Sequence, residues 1–81
     1  MIFLIEYNRR EGRIVTFKTF DESERLRAEN MRLEIELNLN RSKIEHEVVL
    51  LEAADEKALR KTHRRYFEDL SQIANSISES N

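Results

Sequence analysis

The 81-residue chain contains no cysteine, no proline and no tryptophan, and only one glycine. Without cysteine there is no disulfide scaffold, no thiol catalysis and no thiolate-ligated metal. One glycine leaves no phosphate-cradling loop of the dinucleotide-binding or P-loop kind. The longest uninterrupted apolar run covers residues 1–5, whereas a membrane-spanning helix needs about 20 apolar residues. The composition therefore favours a cytoplasmic protein without a membrane partner.

The length predicts one small domain, assigned to residues 1–75, followed by a frayed C-terminal tail at 76–81. Fourteen Lys and Arg stand against sixteen Asp and Glu, which gives a net charge of −2. Self-repulsion is therefore weak, and the high content of charged residues does not imply disorder. A chain this short buries only about 60% of the surface that its unfolded form exposes. Because no disulfide is available, association of two copies is a natural way to bury more.

The N-terminal residues are predicted to form an antiparallel β-hairpin. Two segments rich in apolar residues, 2–7 and 14–20, flank the only glycine, Gly12. A three-residue loop that ends at Gly12 places Tyr7 opposite Val15 and separates apolar from polar side chains. A four-residue loop would bring an acidic side chain into the apolar face, so we expect the shorter loop. The apolar face then comprises Phe3, Ile5, Tyr7, Val15 and Phe17.

Residues 21–37 are predicted to form a helix. Asp21 and Glu24 form a variant of the capping box, and the segment is dense in good helix formers. Residues 31–39 alternate between apolar and polar, which is also the period of a strand, so a strand is the alternative there. As a helix, the segment has two apolar faces, which the sheet and either the C-terminal helix or a second copy must cover. One face comprises Leu26, Leu33 and Leu37, and the other comprises Ala28, Met31, Ile35 and Leu39.

The rest of the chain predicts a third strand and a second helix. Residues 44–51 end in four consecutive apolar residues, which is typical of a strand covered on both faces. Asp55 is a suitable N-cap for the second helix. The fold class is therefore α+β with the order β-β-α-β-α. We expect a three-stranded, mainly antiparallel sheet that carries the long helix on one face, with the C-terminal helix packed beside it.

Apolar residues of the second helix recur with heptad spacing, and His63 is the one polar member of this seam. The first helix and the third strand both need more cover than one chain supplies, which predicts a homodimer. The predicted interface comprises Leu59, His63, Tyr66, Leu70 and Ile73. We therefore interpret the protein as a small non-enzymatic, homodimeric protein-interaction module with an unidentified protein partner.

Two basic clusters support an alternative function, that of a nucleic-acid-binding regulator. One cluster is the helix stripe 57–65, and the other is the hairpin tip 9–13. Their cations could neutralise phosphates, and Tyr66 and Phe67 could stack on bases. Nearby acidic residues and the negative net charge favour a solvated surface instead. The candidate contacts are Arg9, Arg10, Arg13, Lys57, Arg60, Lys61 and Arg64.

No catalytic, cofactor-binding or metal-binding residue is predicted. The two histidines, His46 and His63, have no partner at a spacing typical of zinc sites. None of the serines lies on a glycine-flanked strand-to-helix elbow. A chain of this size can hardly enclose the sheltered pocket that shifts the pKa of a catalytic group. We therefore expect neither an enzyme nor a cofactor.

Overall fold

The computed structural model describes residues 1–68 and confirms the α+β class. Three strands form one antiparallel sheet in the order β2-β1-β3. The elements are β1 (Ile2–Asn8), β2 (Arg13–Phe20), α1 (Arg25–Ser42), β3 (Glu47–Glu52) and α2 (Glu56–Thr62), with 3₁₀ turns at Glu22–Glu24 and Arg64–Tyr66. The predicted tail at 76–81 and the predicted end of the domain at residue 75 lie outside the described residues.

The central strand β1 is buried on both of its faces. It pairs with β2 on one side and with β3 on the other, and every side chain from residue 2 to residue 7 is buried. Successive side chains of a strand point to opposite faces, so both faces of this sheet need a cover. α1 packs over Ile2 and Leu4, whereas α2 and the turn Arg64–Tyr66 pack over Phe3 and Ile5. The second helical segment therefore lies on the opposite face of the sheet from α1. The expectation that it packs beside α1 is wrong.

The hairpin differs from the predicted one near its tip. Asn8 pairs with Arg13, so the loop has four residues, and Val15 is an extra residue of β2 that shifts the register. The prediction that Tyr7 faces Val15 is therefore wrong: Tyr7 faces Ile14, and Val15 is half exposed. A bulge of this kind inserts one residue into one strand, and the insertion offsets the longer loop. The rest of the predicted register is confirmed.

Gly12 closes the hairpin loop in the left-handed region, with φ of 67°. Its N–H donates to the Asn8 carbonyl oxygen at 2.8 Å, and the Glu11 N–H donates to Asn8 Oδ1 at 3.1 Å. Asn8 thus accepts both of these loop hydrogen bonds, one at its carbonyl oxygen and one at its side chain. A glycine suits this position because it has no Cβ to crowd the preceding carbonyl group.

Residues 31–39 are helical, and the strand alternative for them is excluded. The capping box is present before α1, where the Asp21 N–H donates to Glu24 Oε1 at 3.1 Å. α1 itself extends to Ser42, five residues beyond the predicted end, and Lys43 then takes a left-handed conformation. Ala28 is fully buried against the sheet, and the side chains of Met31 and Ile35 pack beside it. The alternating sequence thus forms a helix with two apolar faces, as predicted.

α2 is much shorter than the heptad pattern suggests. The Asp55 side chain accepts a hydrogen bond from the Ala58 N–H at 2.8 Å, which confirms the predicted N-cap. The helix ends at Thr62, because His63 leaves the helical region with φ of −126° and ψ of 51°. The turn Arg64–Tyr66 then changes the direction of the chain and brings Tyr66 into the core.

Gly12→Ala is expected to lower the free energy of unfolding by about 1–2 kcal/mol, because a Cβ is crowded in left-handed backbone. Gly12→Asn is the matched control, since asparagine tolerates this region better and should lose less. Urea denaturation followed by circular dichroism measures both variants. Equal stability of Gly12→Ala and the wild type would contradict the importance of this backbone conformation.

Candidate functional site

The side of α1 that faces away from the sheet carries a row of exposed leucines. Leu26 is 70% exposed, Leu33 is 55% exposed and Leu37 is 46% exposed. They are the face that the sequence predicts to need a second cover, and no element within residues 1–68 supplies one. Single exposed leucines are common on protein surfaces, whereas several on one face of a helix mark a candidate interaction surface.

The exposed row continues the spacing of a coiled-coil seam. Asn30 lies between Leu26 and Leu33, and Asn40 follows Leu37. With these two asparagines included, intervals of four and three residues alternate along the row. All five residues are exposed. We call this set the leucine face; it comprises Leu26, Asn30, Leu33, Leu37 and Asn40. A shallow depression of about 570 Å³ lies along its first half.

Charged residues of both signs border the leucine face. One flank carries Arg27, Glu34 and Arg41, and the other carries Glu29 and Glu36. Two of them are held by neighbours on the same segment: Arg27 contacts Glu24 at 3.3 Å, and Glu36 contacts Arg32 at 2.8 Å. Such exposed pairs contribute little to stability. An apolar seam with mixed charges along its edges has the character of one half of a helix–helix interface.

Two residues of the interface predicted from the heptad seam of the second helix pack inside the chain itself. Leu59 is 0% exposed and Tyr66 is 6% exposed, and both belong to the core cluster under the sheet. His63 is half-buried, with its ring 6.4 Å from the ring of Tyr66. The predicted interface residues Leu70 and Ile73 lie outside the described residues. The apolar pattern thus reports intramolecular packing at the two positions that the structure shows to be buried.

Glu47, the first residue of β3, joins the two basic clusters. Its Oε1 accepts a hydrogen bond from Arg9 Nε at 3.0 Å, and its Oε2 accepts one from Arg65 Nη2 at 2.8 Å. The Tyr66 hydroxyl donates to the same Oε2. Arg9 belongs to the hairpin tip and Arg65 is the last residue of the helix stripe, so the fold places the hairpin tip and the end of the stripe at one end of the sheet. The sequence analysis missed Glu47, because its partners are distant along the chain.

The surroundings of Glu47 shift the acidities of the groups that meet there. Burial alone raises the pKa of the Glu47 carboxyl, but hydrogen bonds from Tyr66, Arg9 and Arg65 outweigh burial and lower its pKa overall. Burial, and then the contact with Glu47, raises the pKa of Tyr66 to about 12. The cluster therefore holds a charged carboxylate and a neutral phenol at ordinary pH.

The aromatic residues next to the helix stripe face the core. The Tyr66 ring meets the Tyr7 ring edge-on, with centroids 5.2 Å apart, and the Phe67 ring meets that of Phe17 at 5.9 Å. The Arg60 guanidinium lies 4.5 Å from the centroid of the Phe67 ring. Tyr66 is buried and Arg60 covers the Phe67 ring, so base stacking on this pair would have to displace these contacts.

Most of the predicted nucleic-acid contacts already have acidic partners. Besides Arg9, three of them are paired with neighbours: Arg13 with Glu11 at 2.6 Å, Arg60 with Glu56 at 3.4 Å, and Arg64 with Glu68 at 3.3 Å. Within residues 1–68, Arg10, Lys57 and Lys61 have no ion pair. Glu56 and Glu68 are thus two acidic residues close in the chain that the structure places in contact with the helix stripe.

Glu6 is the centre of a second polar cluster, on the sheet face that α1 covers. It is 8% exposed, accepts a hydrogen bond from Thr16 Oγ1 at 2.8 Å, and has its Oε2 2.7 Å from His46 Nδ1. Both carboxylate oxygens are therefore satisfied, as a buried charge requires. The sequence contained one signal for this site, namely a single acidic residue inside the otherwise apolar segment 2–7.

An open cleft of about 1120 Å³ lies between the hairpin tip and the connection from α1 to β3. Its lining comprises Asn8, Arg9, Arg10, Glu11, Lys43, Ile44, Glu45, His46 and Glu47. Three cations and three carboxylates face it, so its charge selects neither an anion nor a cation. Within residues 1–68, no group of three His, Cys, Asp or Glu residues could hold a metal ion. The cleft therefore offers no defined chemistry.

Glu47→Gln is expected to lower the free energy of unfolding near pH 7 by about 1.5–3 kcal/mol, because it weakens charge-assisted hydrogen bonds. The pKa of folded Glu47 lies below its ordinary value of 4.5, so this stabilisation is present above that value. It is lost as the pH falls through the folded pKa. Denaturation at several pH values should therefore show the difference between wild type and variant shrink below about pH 4.

Glu45→Gln is the matched control for this experiment, because Glu45 is the exposed carboxylate two positions before it in the chain. Its substitution should change stability little. A constant difference between the wild type and Glu47→Gln from neutral to acidic pH would contradict the role assigned to Glu47.

None of the helices in the part of the chain that the structure describes has the length and apolar content of a membrane-spanning segment. No family model matches the chain, and neither does any curated protein or solved structure. The functional conclusion therefore depends on the surfaces and contacts of this fold alone, and the leucine face is the most distinctive of them.

Proposed function

We propose that the protein is a non-enzymatic, homodimeric protein-interaction module, and that the leucine face of α1 is where two copies meet. The observation that carries this proposal is the exposure of Leu26, Leu33 and Leu37 on one side of a helix whose other side is bound to the sheet. Full burial of a leucine side chain contributes about 1.5–3 kcal/mol. The proposal keeps the cytoplasmic location expected from the sequence.

A second copy suits the leucine face because the face complements itself. It offers apolar residues in a seam and charges of both signs along the edges, so an identical surface supplies both kinds of partner. α1 is also preformed, since Ala28 and its neighbours hold it against the sheet. Association therefore does not have to pay the cost of helix nucleation, which makes short isolated helices marginal.

The open edge of β3 is the main competing surface for association. β3 is an edge strand of the sheet, and its middle residues are apolar. Pairing of two β3 strands in antiparallel fashion about their centre would place Glu47 of one copy opposite Glu52 of the other, twice. Like charges directly opposite each other destabilise a strand pair.

Substitution of Leu33 and Leu37 together by glutamate is expected to convert a dimer into a folded monomer, because it places charges in the apolar seam. Sedimentation velocity at about 100 μM measures the oligomeric state. A stable dimer should remain associated well below that concentration. Circular dichroism should show an unchanged fold, because both residues are exposed.

Val15→Glu is the matched control, because Val15 is a half-exposed apolar residue on β2, away from α1. It should leave the dimer intact. A wild-type protein that is monomeric at this concentration would overturn the proposal, as would a double variant that remains a dimer.

The nucleic-acid-binding alternative is favoured by one observation: Glu47 brings the hairpin tip and the end of the helix stripe to the same end of the sheet. It is weakened by the pairing of four of its seven candidate contacts with acidic residues. Under the leading proposal, fluorescence anisotropy with labelled duplex and single-stranded probes shows no saturable binding at about 150 mM salt.

Saturable binding that weakens steeply with salt would instead support the alternative. It should then be lost when Arg10, Lys57 and Lys61 are replaced by alanine. The matched control, replacement of Lys18 on β2, should leave that binding unchanged, because Lys18 belongs to neither basic cluster.

A further inference from the structure

We propose that the two copies pair through their leucine faces with their α1 helices parallel and in register, so that Asn30 lies opposite Asn30 of the second copy. This inference rests on the proposed dimer and adds its geometry. It follows from the positions of the two asparagines in the seam, from the charges that flank it, and from the placement of the sheet behind the helix.

The leucine face has the layout of a short coiled-coil seam. In heptad notation, Leu26, Leu33 and Asn40 occupy d positions, and Asn30 and Leu37 occupy a positions. α1 has 18 residues, so the seam spans about two and a half heptads. The sheet lies behind Ala28, Met31 and Ile35, on the opposite side of the helix. A helix of the second copy can therefore pack on the seam without a clash between the two sheets.

Parallel pairing matches every residue of the seam with itself. Leucines then face leucines, and the amide of Asn30 faces an identical amide. Two asparagine side chains can each donate and accept, so the facing pair can form a hydrogen bond inside the seam. A single polar asparagine at an a position specifies the register and oligomeric state of a coiled coil.

Antiparallel pairing has two registers that keep seam residues facing each other, and each has a defect. In the first, Leu26 faces Leu37, but Asn30 faces Leu33, which leaves an amide buried without a partner. In the second, Asn30 faces Asn40 and Leu33 faces Leu37. That second register, however, brings Arg27 against Arg41 and Glu34 against its own copy, so like charges meet along one flank.

The flanking charges do not oppose the parallel arrangement. In a parallel pair, the residue at a g position of one helix meets the residue five positions later, at an e position, of the other helix. Glu36 then meets Arg41 of the second copy, which is favourable, whereas Glu29 meets Glu34, which is unfavourable. Each contact occurs twice, so the flanks are balanced. The match between the asparagines therefore decides against the first antiparallel register, and the flanking charges decide against the second.

The chain has no cysteine, so single cysteines report the orientation without interference. Leu26→Cys and Asn40→Cys lie near the two ends of α1, and each is expected to form a disulfide-linked dimer with itself under mild oxidation. In the first antiparallel register, two cysteines at position 26 would be separated by about 16 Å along the helix axis. A disulfide requires Cα atoms within about 7 Å.

Three further measurements make the test decisive. Val15→Cys, on β2, is the matched control and should not cross-link. A mixture of Leu26→Cys with Leu37→Cys should give homodimeric disulfides for each variant and no enrichment of the mixed species. Asn30→Leu, added to Leu26→Cys and to Leu37→Cys, should remove the orientation preference, so that the mixed species appears in their mixture.

The outcomes separate this inference from the proposed function. A dimer by sedimentation in which position 26 does not cross-link with itself, with or without cross-links in the mixture of positions 26 and 37, overturns the parallel arrangement and leaves the proposed dimer in place. A cross-linking pattern that Asn30→Leu does not change overturns the role of Asn30. A protein that is monomeric without cross-links overturns both the inference and the proposed function.

Discussion

The burial of β1 on both faces is the constraint on which the rest of this small fold depends. A central strand with alternating side chains in two cores requires one cover above the sheet and another below it. The 68 described residues meet this requirement with α1 on one face and the segment from α2 through Tyr66 on the other. Each cover is one helical element thick. One side of each helical cover therefore faces away from the sheet, and in α1 that side is apolar.

The polar end of the sheet is organised by two carboxylates that lie on opposite faces. Glu6 is satisfied by Thr16 and His46, and Glu47 is satisfied by two arginines and Tyr66. Arginines suit this position because their side chains reach over the sheet edge while the charge stays near water. The contacts tie the hairpin tip, β3 and the last turn together. Much of the positive charge at this end is therefore committed to internal contacts.

Sequence patterns predicted the elements of this fold better than their contacts. The two apolar faces of α1, the capping box at Asp21 and the N-cap at Asp55 depend on residues close in the chain, and the structure contains all three. The heptad pattern was less informative, because the spacing that suits a partner helix also suits burial under the chain's own sheet. Leu59 shows this ambiguity: its periodicity is correct, but its partner is β1.

Contacts between distant segments were beyond the reach of local patterns. Glu47 and Arg9 are 38 residues apart in sequence, and their pairing follows from the docking of β3 beside β1. The residue type at position 15 does not indicate the bulge, because valine is also common in regular strands. The leucine face was visible as a pattern, but only the fold shows that residues up to 68 leave it uncovered.

The bulge in β2 has a consequence for how this hairpin can vary. It separates the loop from the paired segment that ends at Glu6 and Thr16, because the one-residue shift is absorbed at Val15. A regular three-residue loop without the bulge would give the same pairing of Ile5 with Phe17. The length of the loop and the register of the paired segment are thus uncoupled. A change of one residue in the loop can therefore be offset at Val15 without disturbing the pairing of Ile5 with Phe17.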